Sequence, residues 1–411
     1  MNTDLTNTET MTTEVATCPY PFSDPDRLNL DPAYGRLRDT PGLIRVQPPH
    51  GRWAWLATRY EDVKTVLGDP RFSRARAVGP DEPRQMAFGQ RPDTLVAMDP
   101  PEHTRLRRVV AKAFTMRGID RLRPWIQQLV DGLLDEVERR GAPADLVEQY
   151  AWPIPVTTIC ELLGVPEHER EQFQIWSDIA LSTRLAGRGP AEVGQAVGAL
   201  RGFLGELVAR RREQPGEDLI STLVSARDEQ DRLTEDEMVG LGVGVLVAGH
   251  ETTANQIGNF VHVLLTHPQH LAMLRERPDM VPQAVEEMLR YVPLFAGSSY
   301  PRVALEDIEI GGTLVKAGEA VLPSMMAADR DESVFENASL LDFERADNPH
   351  LAMGYGVHRC LGAQLAKAEL EISVGSLLRR FPGLRLAVPA EEVPFREGTL
   401  QRGPSRLPVL W

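Results

Sequence analysis

The chain contains few cysteines: Cys18, Cys160 and Cys360 are its three thiols in 411 residues. So sparse a set excludes a disulfide framework and suits a reducing compartment. Long apolar runs are also missing. The longest, Leu241 to Gly249, is far too short and too glycine-rich to span a bilayer. The start, MNTDLTNTETMTTEVAT, lacks the basic and apolar regions of a signal peptide. We therefore expect a cytoplasmic protein with no membrane association. The polar start reads as a disordered leader, bounded at residues 1–17, with Cys18 grouped with it. No Gly/Ser linker, charge block, low-complexity stretch or internal repeat divides the rest, so residues 18–411 read as one domain. Net charge is −14, which argues against nucleic-acid binding. No Gly-x-Gly-x-x-Gly joins a strand to a helix, so no flavin or nicotinamide site is visible.

What is present is mostly helical. Pro101 to Phe114, Ile119 to Val137, Val156 to Leu163, Glu192 to Arg212, Met280 to Tyr291 and Leu361 to Arg380 carry helical periodicity. The longest helix starts at Thr234, where Thr234 and Glu237 form a capping box, and runs to about Thr266, just before Pro268. Strand signals are fewer. Trp53 to Thr58 is one, and Ile308 to Val315 reads as a hairpin turning at Gly311-Gly312, with Gly318 to Val321 expected to continue that small sheet. The fold class is mainly α with small β-sheets. Arg74 to Arg91 and Ser182 to Pro190 have the composition of mobile loops; such loops often act as lids, but the sequence alone favours plain surface connections.

Cys160 sits in an apolar helical run and reads as a buried structural thiol. Cys360 has other neighbours: Met353-Gly354-Tyr355-Gly356-Val357-His358-Arg359-Cys360-Leu361-Gly362. The glycines permit a tight turn that approaches a flat ligand closely. The helix that follows presents free N–H groups to the sulfur, which favours a thiolate. Alone, such a cysteine is equally a reactive or structural thiol. In the long helix, Ala248-Gly249-His250-Glu251-Thr252-Thr253 places an acid beside an alcohol, a pair suited to proton relay. A threonine hydroxyl there can bond the preceding turn and bend the helix. Gly249 leaves room for a ligand. Buried Glu is rare without a partner, so Glu251 leans towards function.

The cysteine segment resembles the ligand loop of the cytochrome P450 family, Phe-Gly-x-Gly-x-His-x-Cys-x-Gly, except that Met353 replaces the aromatic residue. The resemblance extends from about Tyr20 to Trp411 and is nearest to soluble actinobacterial members that tailor natural products. It implies the P450 fold, with haem between the long central helix and the cysteine loop, and Cys360 as the iron ligand. It implies Glu251 and Thr252 as the catalytic proton relay. His103 and Arg107, at i and i+4, with Arg302 and His358, become propionate ligands; Ala248, Gly249, Gly354 and Gly362 border the haem. Glu287 and Arg290 match the family's Glu-x-x-Arg and read as structural. The family's third basic residue is missing where Leu340 stands, with Arg345 as a possible substitute. The expected substrate wall is Val245, Ala248, Leu294, Phe295, Ala296 and Leu400.

The resemblance also implies haem b, O2 and electrons from NAD(P)H through ferredoxin reductase and ferredoxin. Ferredoxin would dock on a basic patch of Arg105, Arg108, Lys112 and Arg359. The expected activity is a monooxygenase that hydroxylates or epoxidises a medium-sized, largely apolar secondary metabolite, working as a monomer. The alternatives are oxidative coupling or ring closure on a small peptide or polyketide, and a non-enzymatic haem sensor. A zinc site at His262, His267 and His270 has spacings that fit no metal motif.

Overall fold

A computed structural model describes residues 17–85, 91–180, 190–228, 233–298 and 300–411. The long helix spans Glu235–Thr266, and its capping box forms as expected: the Thr234 hydroxyl accepts from the Glu237 N–H, and the Glu237 carboxylate from the Thr234 N–H. Its 32 residues cover about 48 Å at 1.5 Å per residue. Polar and charged residues occupy one end of this helix, while Ile257, Phe260, Val261 and Leu264 are buried, as they must be for a helix that crosses the interior.

The other helices fall close to the periodic segments: Glu102–Val110, Met116–Arg140, Pro153–Leu163, Pro190–Glu213, Val281–Tyr291 and Ala363–Arg380. Most begin or end a few residues from the expected limits, because periodicity marks the buried face rather than the ends. The helices Pro153–Leu163 and Ala363–Arg380 both pack against the central helix.

A six-stranded sheet forms the second layer, in the order Cys18–Pro19, Ile44–Gln47, Ala54–Ala57, Ala320–Pro323, Arg302–Ala304 and Phe72–Ser73. Two expectations change here. Ala320–Pro323 does not extend the hairpin Ile308–Ile310/Thr313–Val315, which stands as a separate pair; it pairs with Ala54–Ala57 and Arg302–Ala304 instead. All four of its residues are buried, which suits an inner strand. Cys18 belongs to the ordered sheet, opposite Val46. Residues 1–16 and 181–189, which carry most of the expected leader and the second loop, lie outside the described residues, as do 86–90 of the first.

A third sheet holds Pro408–Leu410 between Ala144–Asp145 and Arg385–Leu386. The segment before it lies along the back of the central helix. Asn255 donates to the Gln401 side chain at 2.9 Å, and Asn259 to the Arg402 carbonyl at 3.0 Å. Among the described residues no helix is long and apolar enough to cross a membrane.

Candidate active site

A cavity of about 310 Å³ opens between the central helix and the cysteine loop. Ala248 and Thr252 line it from the central helix; Met353, Gly354, His358 and Cys360 line it from the loop. The loop is held by its own backbone. The Cys360 N–H donates to the Met353 carbonyl at 2.7 Å. Gly354 and Gly356 take φ of +73° and +70°. At Gly356 an added Cβ would lie 2.7 Å from the Leu67 carbonyl oxygen, so no other residue fits that turn.

Cys360 opens onto the cavity, while protein surrounds the sulfur on its other sides. Burial pushes the thiol up from its ordinary value; the Gly362 N–H, which it accepts, and the nearby Arg107 and Arg359 pull it back. Helix position alone therefore does not yield a thiolate, and a cationic metal would complete the balance. Cys160 is fully buried, and burial raises it to about 12, so it is an inert structural thiol as expected.

Four cationic or imidazole groups gather at one end of the cavity. His103 is 1% exposed, and neither ring nitrogen has a hydrogen-bond partner. Its ring lies 4.3 Å from that of His358. Burial, then Arg107, pushes His103 down to about 4; burial and Arg302 push His358 down to about 2. Arg302 is buried on the cavity wall, and burial with the neighbouring Arg74 drives it well below its ordinary value. Arg107 donates to the Arg359 carbonyl beside Cys360. Orphaned donors and like charges are costly when buried, and an anionic ligand supplies what they lack. The cluster therefore fits the two carboxylates of a haem, and Cys360 fits its iron. Among the described residues no group of three or more His, Cys, Asp or Glu is arranged to hold a metal ion.

The acid and the alcohol face different ways. The Thr252 hydroxyl donates to the Ala248 carbonyl at 2.8 Å, as a mid-helix threonine can. Glu251 is buried behind the helix, 3.6 Å from the Arg396 guanidinium. Gly249 departs from its expected role: an added Cβ would meet Ile159 Cδ1 at 2.7 Å, so the glycine admits the helix Pro153–Leu163 rather than a ligand.

The substrate wall is corrected in part. Leu294 and Phe295 line the cavity. Val245 instead packs half-buried against the core, and the Ala296 N–H donates to the Leu400 carbonyl at 2.9 Å behind the wall. Sequence reasoning missed Val96, Gln256, Tyr300, Met325 and Met326, which line the cavity. Tyr300 could have been found from its place two residues before Arg302; the two methionines carry no motif.

Glu287 and Arg290 form a buried pair at 2.7 Å, and Arg345 joins it at 3.1 Å. Arg345 thus completes a triad, while Leu340 offers only its carbonyl to Arg290, with its side chain exposed. Arg105 lies exposed beside Arg108, with its charge paired to Glu237 at the start of the central helix. Arg108, Lys112 and Arg359 are exposed. His267 contacts the Val263 carbonyl and His270 the Leu341 carbonyl at the end of the central helix, and His262 packs on Phe395.

Known proteins share this architecture. The cytochrome P450 family model matches residues 191–394. Nocardicin C N-oxygenase of Nocardia uniformis subsp. tsuyamanensis is 51% identical, over 97% of this chain and 100% of its own. Mycinamicin IV hydroxylase/epoxidase of Micromonospora griseorubida is 47% identical, over 95% and 98%. The crystal structure of the LnmA cytochrome P450 hydroxylase, from the leinamycin pathway of Streptomyces atroolivaceus S-140, superposes with a TM-score of 0.91 at 50% identity, covering 96% of this chain and 100% of that one. A cysteine set under a glycine turn, a threonine facing it across one cavity and full-length similarity to such enzymes together mean that this chain belongs to the cytochrome P450 family.

Proposed function

We propose that the protein is a haem-thiolate monooxygenase that hydroxylates or epoxidises a medium-sized, largely apolar secondary metabolite. The observation that carries this reading is a cavity shared by Cys360 on one wall and Thr252 on the other, and lined by Leu294, Phe295, Val96, Met325 and Met326. So largely apolar a lining favours an apolar substrate. The names of the relatives, an N-oxygenase and a hydroxylase/epoxidase, support oxygen insertion over coupling.

Haem b, bound here, would supply dioxygen activation at an electron-rich iron. Cys360 would hold the iron. His103, Arg107, Arg302 and His358 would receive the propionates, and Ala248, Gly354 and Met353 would border the ring. Thr252, whose hydroxyl already donates to Ala248, can exchange that bond for a donor role towards the cavity. Glu251, held by Arg396, is the acid that resupplies the proton. Electrons come from NAD(P)H through ferredoxin reductase and ferredoxin. Ferredoxin docks behind Cys360 against Arg108, Lys112 and Arg359, with the exposed Met116, Tyr355 and Val357 supplying apolar contact.

The test is a screen of polyketides, macrolides, terpenes and small peptides for shifts of the haem band, followed by turnover of the hits under labelled dioxygen. A product heavier by one labelled oxygen atom is the expected result. A product lighter by two hydrogens, with no label, would replace oxygen insertion by oxidative coupling.

A further inference from the structure

Arg74 belongs to no motif, yet its side chain is among the largest that are fully buried, at 1% exposure. The strand Phe72–Ser73 pairs antiparallel with Arg302–Ala304, with Ser73 opposite Val303. Arg74 follows Ser73 with helical backbone, φ −84° and ψ −39°, and turns its guanidinium to the carbonyl of Pro301, the residue before Arg302. The two like charges thus lie close together, and taking both out of water is costly.

Arg74 is held in place. Its Nε donates to the Val96 carbonyl at 3.0 Å and its Nη1 to the Pro301 carbonyl at 2.5 Å, with the guanidinium 5.0 Å from the Tyr300 ring centre. Val96, Tyr300 and Arg302 all line the cavity, so Arg74 stands immediately behind its wall. Among the described residues, the carboxylate that acts on both arginines is Asp99; it also accepts from the Ser73 hydroxyl and the Arg74 N–H. Arg107 brings a third guanidinium: Arg74, Arg107 and Arg302 all act on His358. A guanidinium stays protonated. Three such charges stand beside the cavity, where a haem would place its propionates.

We propose that Arg74 is a positioning residue behind the haem site, whose charge acts with those of Arg302 and Arg107 to balance the haem propionates through the cavity wall. The proposal rests on the reading that haem fills the cavity. Arg74 touches no propionate in this scheme; its hydrogen bonds to two wall carbonyls fix where the charge sits.

The test compares holoprotein of Arg74→Met, which keeps bulk without charge, with Arg74→Lys, which keeps charge with fewer donors. Haem transfer to excess apomyoglobin gives the off-rate, and redox titration gives the potential. Arg74→Met should release haem faster by on the order of tenfold, the factor for one unit charge acting across about 10 Å at an effective dielectric constant near 20. Its potential should fall, because the reduced haem carries one more negative charge. Arg74→Lys should stay near wild type in both. If Arg74→Met does not accumulate as holoprotein, Asp99→Asn probes the same balance from the other side and should raise the potential. Wild-type values in Arg74→Met would overturn the proposal, as would an equal loss in Arg74→Lys, or a potential in Asp99→Asn that is unchanged or lowered. Failure of the wild type itself to bind haem with a thiolate-type carbonyl spectrum is a different result and would remove the haem reading underneath.

Discussion

Gly249 offers a test of whether the central helix is shaped by its neighbour or by its ligand. Replacing it with alanine has two opposed effects. The helix interior gains about 1 kcal/mol, because glycine is the poorer helix former. The new methyl, however, would sit 2.7 Å from Ile159 Cδ1 and 3.2 Å from Cγ1. Ile159 is 2% exposed and β-branched, so it cannot swing aside cheaply, and overpacking a tight core costs about 1–3 kcal/mol. The net expectation for Gly249→Ala is a loss of about 0–2 kcal/mol. Ile159→Val removes the offending Cδ1 and by itself costs about 0.5–1.5 kcal/mol. In the Gly249→Ala background that cost is offset by relief of the clash. The double variant should therefore be more stable than the sum of the singles by about 1 kcal/mol, read from thermal unfolding of the holoprotein. The haem spectrum and substrate affinity should be unchanged in Gly249→Ala, because the methyl points away from the cavity. Additive stabilities, or a displaced haem band with normal stability, would show that the glycine serves the ligand after all.

Cys360→Ala should abolish the red-shifted carbonyl band of thiolate ligation, while Cys18→Ala and Cys160→Ala keep it; loss of the band in Cys160→Ala would refute the ligand assignment. Thr252→Ala should bind substrate normally but release hydrogen peroxide in place of product, and Glu251→Gln should slow turnover by about 10²–10⁴-fold, the usual contribution of a proton relay; unchanged coupling in Thr252→Ala would transfer its role to substrate or water. Arg108→Glu and Lys112→Glu should slow reduction by ferredoxin at low salt and lose the effect as screening sets in over about 10 Å at 0.1 M, whereas Arg105→Glu should act on stability through Glu237; equal reduction rates in all three would reject the docking face. Glu287→Gln should cost about 3–5 kcal/mol of stability, since it leaves two buried guanidiniums without their carboxylate. Glu369 is buried beside Thr158, and burial raises its carboxyl to about 8; it is neutral when folded and ionised when unfolded above its ordinary value near 4.5. The folded state therefore loses stability as pH rises from about 4.5 to about 8, and no further above that. Glu369→Gln should gain on wild type over that window and then run parallel; a constant difference from pH 5 to 9 would contradict the buried neutral acid.

The helices were legible because each buries one face, and burial writes a period of 3.6 into the chain. The central helix was read to the residue at its start because Thr234 and Glu237 cap it with side chains. The cysteine loop was legible because a turn at φ of +70° under Leu67 admits only glycine. The strand Ala320–Pro323 was misassigned because its neighbour in sequence is not its neighbour in space. Arg345 was left open and the pairing of Arg105 unseen for a similar reason: their partners, Glu287 and Glu237, lie 58 and 132 residues away. Gly249 was read as making room on one side of the helix when it makes room on the other. Arg74 was read only as the start of a mobile loop, since what buries it are the carbonyls of Val96 and Pro301, 22 and 227 residues away. Long-range pairings of this kind are settled by packing, which no local pattern records.

The third sheet sets a timetable for the protein's birth. Ala144–Asp145 emerges early, but the strand that covers it, Pro408–Leu410, follows only after the intervening chain has been made; the bond from the Leu407 N–H to Asp145 spans 262 residues. The back of the central helix waits for Gln401 and Arg402, 146 and 143 residues after the asparagines that they meet. A nascent chain that already displays Cys360 therefore still lacks the braces that fix the helix across from it. At about 5–20 residues per second, synthesis of the longer stretch lasts on the order of ten seconds or more, during which a strand edge and the asparagine-bearing helix face stay uncovered. Conditions that slow elongation lengthen this exposure, so the yield of soluble holoprotein should depend on translation rate as well as on haem supply.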